Sequence, residues 1–119
     1  MGMKAVVAAS KHWMNVDTIR ECLVNLPVGS TVIVSNRSGG DALVAKIAAE
    51  ELALHVELFD ADKDDNSEFR KKIIDHIDAD TDSAFFFCCD NREVEFFISK
   101  YARTVRVPTE VVIQSFSSV

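Results

Sequence analysis

Short apolar runs alternate along this chain with stretches whose apolar residues recur at helical spacing. Lys4–Ala9 (KAVVAA) is a run of small and β-branched residues and predicts a buried strand. Residues 16–26 carry Val16, Ile19, Leu23 and Leu26 on one face of a helix, with Asn15 as N-cap and Pro27 and Gly29 closing it. Thr31–Ser35 (TVIVS) predicts a second strand. A long helix is expected from Ser38 to about Ala53, with Leu43, Ile47 and Ala48 as its stripe and Val44 and Leu52 beside it. His55–Phe59 (HVELF) alternates and predicts a third strand, followed by a polar, acidic loop over 60–66. Residues 67–77 are expected to be helical, with Phe69, Ile73, Ile74 and Ile77 inward. Residues 83–89 (SAFFFCC) form a continuous apolar run, the mark of a strand buried on both faces. A fourth helix is expected over 91–102. Residues 104–107 and 110–114 make either one last strand broken at Pro108 or a strand followed by a tail.

Strands separated by helical stretches imply βαβ units and a parallel sheet, with right-handed crossovers placing helices on both faces. The expected fold is one α/β domain over residues 1–119. It is a three-layer, Rossmann-like domain with a mainly parallel sheet of four or five strands. The expected order is 3-2-1-4, with any fifth strand beyond the fourth. In such a sheet ligands bind at the carboxyl ends of the strands, where the order reverses between strands 1 and 4. That geometry selects three loops: 10–15, 36–41 and the turn after Cys89.

Composition narrows the function classes. The chain has 119 residues, 48% of them apolar, enough to bury a core in one domain. A formal net charge of −6 excludes a sequence-independent nucleic-acid binder, which needs a basic face, and likewise binding to an anionic membrane. No apolar run approaches a membrane span. The opening residues are too short for a signal peptide and are expected to be the first strand instead. Cys22, Cys88 and Cys89 show no framework spacing and no C-x-x-C pair. Thiols in a reducing, cytoplasmic setting are expected, without a zinc site or any other metal or cofactor.

Two segments can carry chemistry. Ser35-Asn36-Arg37-Ser38-Gly39-Gly40-Asp41 joins strand 2 to the long helix. Its glycines would let a ligand approach bare backbone amides at a helix start, where a phosphate or carboxylate is favoured. Arg37 would add a bidentate contact. The same letters also fit a plain capping box, Ser38 to Asp41. Ala9-Ser10-Lys11-His12-Trp13 ends strand 1. Ser10 and Lys11 fall where a phosphate or sugar would lie, and Trp13 would either stack on a base, wall off the pocket or cover the core. His12 has no visible acid or nucleophile partner.

Together these segments resemble the SLOG superfamily, and more nearly its small stand-alone YspA-like branch. That branch shows G-S-R-x-W after strand 1 and G-G-A-x-G-A-D after strand 2. Here the first stands as Ala9 to Trp13 and the second as Ser35 to Asp41, continuing into Ala42-Leu43-Val44-Ala45. The likeness covers roughly residues 3–90 and rests on element order as much as on letters. It implies a Rossmann-like fold binding nucleotides or nucleotide-derived molecules, with Ser10, Lys11, Gly39, Gly40 and Asp41 the positions that carry over. Ser35, Asn36 and Ala9 stand where the branch has glycines, which narrows the room for a phosphate. The P-G-G-x-G-T-x-x-E motif of the catalytic branch is absent, so hydrolase activity gains no support.

Other motifs fail. There is no G-x-x-x-x-G-K-S/T and no G-x-G-x-x-G after strand 1. The acidic loop 60–66 lacks the glycine of an EF-hand, and Lys71 stands where its glutamate should be. On the last helix Phe96 falls off the stripe of Val94, Phe97, Ile98 and Tyr101. It either marks a subunit contact, and so a homodimer, or packs under the C-terminal segment. The leading expectation is a non-enzymatic binding protein, sensor or sequestering, for a nucleotide-like anion. Its site would hold Ser10, Lys11, Trp13, Asn36, Arg37, Ser38, Gly39, Gly40 and Asp41. The alternatives are a divergent nucleotide-processing hydrolase using Asp41 as acid or base, and an interaction module that has lost its ligand.

Overall fold

A computed structural model describes residues 2–10, 13–36, 39–60, 81–88 and 109–113. Five strands form one sheet: β1 (Lys4–Ala9), β2 (Thr31–Ser35), β3 (His55–Phe59), β4 (Ser83–Cys88) and β5 (Thr109–Ile113). Their order is β3-β2-β1-β4-β5, and every neighbouring pair is parallel. The fold is thus a small, Rossmann-like α/β domain, with its order reversing between β1 and β4. The last strand begins directly after Pro108, which has no N–H to give a ladder.

Helix α1 (Val16–Leu23) starts where Asn15 accepts a hydrogen bond from the Thr18 N–H at 3.2 Å. It ends three residues before the expected position. Leu26 N–H turns back to the Leu23 carbonyl at 3.0 Å, and Pro27 cannot continue the helical ladder. Helix α2 (Gly40–Lys46) begins at Gly40, and Ser38 lies outside the described residues. One π-helical turn, Ile47–Glu51, continues it. The turn closes through Leu52 N–H to the Ile47 carbonyl (3.1 Å) and Leu54 N–H to the Ala48 carbonyl (2.9 Å). Between those two donors Ala53 sits at φ 53°, the left-handed conformation that ends many helices, here without the usual glycine.

Ile19 and Leu23 of α1, with Val44, Ile47 and Ala48 of the second helical segment, cover one sheet face. That face is built from Ala5, Val7, Ala9, Val32, Val34, Phe85 and Phe87. The long helix therefore points Val44 into the core, while Leu43 only flanks it. Arg20 bonds both Asp17 (2.6 Å) and Glu51 (3.0 Å), tying α1 to the π-turn. Its pKa is raised above the ordinary arginine value, first by the hydrogen bond to Glu51 and then by the one to Asp17. On the opposite face Val6, Ala8, Ile33, Ala84, Phe86 and Cys88 are buried as well. Burial on both faces is why β1 and β4 are written as continuous apolar runs. The helices expected over 67–77 and 91–102, the acidic loop from 61 onward and Phe96 lie outside the described residues.

Candidate functional site

The carboxyl edge of the sheet is organised by how β1 parts from β2. Their ladder runs from Lys4 opposite Thr31 to Val6 opposite Ile33, whereas β1 and β4 stay paired as far as Ala9 opposite Phe87. Beyond Val6 the side of β1 facing β2 needs other acceptors. Asp41, from the first turn of α2, supplies one: its Oδ1 accepts the Ala9 N–H at 2.8 Å. Its Oδ2 accepts the Ser35 hydroxyl at the end of β2. One carboxylate thus joins the tips of two strands to the helix that follows them, and Asp41 is 2% exposed.

Gly40 makes this approach possible. A Cβ at position 40 would lie 2.2 Å from the Ser10 carbonyl oxygen and 2.8 Å from the Ala9 Cβ. Only a residue without a side chain lets α2 start so close to β1, the packing use of glycine in nucleotide-binding βαβ units. Gly39 precedes it at φ 91°, ψ −136°, a backbone region that side chains disfavour. The turn therefore sits on the tip of β1.

The expected site residues divide accordingly. Ser10, Gly39, Gly40 and Asp41 are brought together. Ser10 is buried; its N–H donates to the Phe87 carbonyl (2.8 Å) and its own carbonyl accepts from the Trp13 N–H (3.0 Å). Trp13 is committed to the core at 2% exposure, its ring centroid 5.2 Å from that of Phe87 and its Nε1 donating to the Asn15 carbonyl at 2.9 Å. Asn36 is exposed on the far side of β2; its N–H donates to the Phe59 carbonyl (3.0 Å) and its Nδ2 reaches Asp60 Oδ1 (3.3 Å). Lys11, Arg37 and Ser38 lie outside the described residues. Ser35, absent from the expected set, is a buried member of the network. Its signal in the sequence was its position, a hydroxyl at the end of TVIVS that opens the Ser35–Asp41 segment.

A cleft of about 390 Å³ lies at the other edge of the sheet, between Lys4, Thr31, Glu57 and Asp82. Among the described residues no group of three His, Cys, Asp or Glu side chains gathers to hold a metal ion, and no helix is long and apolar enough to cross a membrane. The arrangement defines a class, a parallel α/β domain whose second helix opens on the first strand's tip. Comparison with known proteins goes no further: no family model, no curated protein and no solved structure matches the chain.

Proposed function

We propose that this domain binds a nucleotide or nucleotide-derived anion at the carboxyl edge of its sheet, as a sensor or sequestering protein. The observation that carries this reading is the Gly39–Gly40 turn resting on the Ser10 backbone, beside the strand-order reversal where such folds take ligands. The resemblance to the SLOG superfamily supports the same edge and carries over Lys11, while Arg37, beside the glycines, would add a bidentate contact to the anion. The Cys22 and Cys88 thiols fit a reducing, cytoplasmic compartment.

The test is thermal shift and calorimetry against a panel of nucleoside mono- and diphosphates, ADP-ribose and cyclic nucleotides, with mass spectrometry of co-purifying small molecules. The expected result is stabilisation by one class, weakened in Lys11→Ala and Arg37→Ala. No stabilisation at millimolar concentration removes the reading. Gly40 variants are unsuited to this test, because a side chain there meets the protein itself.

A second reading is a domain that keeps the fold for protein interaction and has no ligand. It is favoured by the internal use of Trp13, Gly40 and Asp41. A stoichiometric protein partner without any ligand-induced shift would select it. The hydrolase alternative needs Asp41 at a substrate. Both of its oxygens already serve the protein, so unchanged nucleotides after long incubation are the expected result.

A further inference from the structure

Strand β3 ends the sheet, and among the described residues it pairs with β2 alone. Edge strands in natural proteins usually carry devices against pairing, such as lysine, proline or a bulge. His55–Phe59 contains neither lysine nor proline. His55 and Glu57 are exposed, and Leu58 is 59% exposed although it lies in a strand.

The strand is complementary to itself. Alternation puts His55 and Glu57 on one face and Val56 and Leu58 on the other. Consider an antiparallel partner related by a two-fold axis perpendicular to the sheet. Such an axis keeps the two faces in place, so a residue can only oppose one of its own face. Centring the axis on Val56 sets His55 opposite the partner's Glu57, and Glu57 opposite the partner's His55. An imidazole has an N–H donor for the carboxylate in either protonation state. The same register sets Val56 against its own copy and brings the exposed Leu58 diagonally beside the partner's Val56, so the leucine gains an apolar neighbour. Centring on Glu57 would instead oppose two carboxylates, which is unfavourable.

We propose that a second copy of this chain docks on the outer edge of β3, antiparallel and in the register centred on Val56, continuing the sheet across a two-fold. The surface is short, so the dimer is concentration-dependent. This docking is independent of the ligand reading.

Sedimentation velocity over a wide concentration range tests it on the full chain. The expected result is a mass rising from monomer to dimer. Glu57→Lys should weaken association about tenfold, because both cross-strand pairs lose the carboxylate that accepts from His55. The charge-swapped double variant His55→Glu with Glu57→Lys should restore it. Both positions are exposed, so folding is preserved, and circular dichroism checks this. A monomer at every concentration overturns the proposal. So does Glu57→Lys associating as wild type does, or a double variant that stays as weak as the single.

Discussion

The two ends of β1 solve one problem with one residue type. At the amino end the Lys4 N–H donates to Asp82 Oδ2 at 2.8 Å; at the carboxyl end the Ala9 N–H donates to Asp41 Oδ1, also at 2.8 Å. The bonds match in length and differ in surroundings. Asp82 is exposed, and its backbone N–H returns a bond to the Lys4 carbonyl at 2.7 Å. Asp41 is buried and carries Ser35 as well. Water can replace the first carboxylate and cannot reach the second. A hydrogen bond therefore matters less for its geometry than for what is left behind when it is removed.

The largest effect follows at Asp41. Asp41→Ala removes the acceptor of the buried Ala9 N–H and of the Ser35 hydroxyl, each loss worth about 1–3 kcal/mol, for a total of about 2–6 kcal/mol. Against a typical domain stability of about 5–15 kcal/mol that is a severe loss, readable as a lower urea midpoint. Amide exchange should separate the two ends, with protection lost at Ala9 and kept at Lys4. Equal costs for Asp41→Ala and Asp82→Ala would break the comparison.

Next is Gly40→Ala. Its Cβ would meet the Ser10 carbonyl at 2.2 Å, and that oxygen belongs to backbone already bonded to Trp13. Overpacking of this kind costs about 1–3 kcal/mol. Because α2 must back away from β1, the Ala9 to Asp41 bond should loosen with it, and the variant should be less than additive with Asp41→Ala in a double-mutant cycle. Full additivity would show that the glycine and the carboxylate act separately.

How much of this was legible follows the same division between backbone and side chain. Lys4–Ala9, Thr31–Ser35 and His55–Phe59 stand where their apolar runs predict, and each is stopped at its carboxyl end by a polar residue, Ser10, Asn36 or Asp60. The strand order followed from the alternation of strands and helices. Helix ends were less visible. Nothing in IAAEE announces a π-turn, and Ala53 does the work usually signalled by glycine. At the site, Gly39 and Gly40 marked a close approach, but the letters could not say whether a ligand or β1 filled the space. Asp41 and Trp13 were each open to an outward or an inward use. That choice depends on β1 and β2 parting beyond Val6 and on the position of Phe87, both long-range facts.

Smaller effects sharpen the comparison. Ser35→Ala removes one hydrogen-bond donor to the buried Asp41 carboxylate, a cost of about 1–2 kcal/mol. It should leave protection of the Ala9 amide in place, since Oδ1 still accepts from it. Loss of that protection would mean that Ser35 orients the carboxylate as well as satisfying it.

The smallest effect belongs to Asp82→Ala. The carboxylate it removes is exposed, and the Lys4 N–H it leaves can bond to water. The Asp82 backbone bond to Lys4 survives any side-chain change, and Thr31 N–H still holds the Met3 carbonyl on the other side of β1 at 2.8 Å. The expected change is within about 0.5 kcal/mol, the range of surface substitutions that disturb no buried group. The urea midpoint should barely move, while exchange at the Lys4 amide quickens alone. A loss as large as that of Ser35→Ala would show that the amino edge is drier than its open cleft suggests, and that both ends of β1 depend on their aspartates alike.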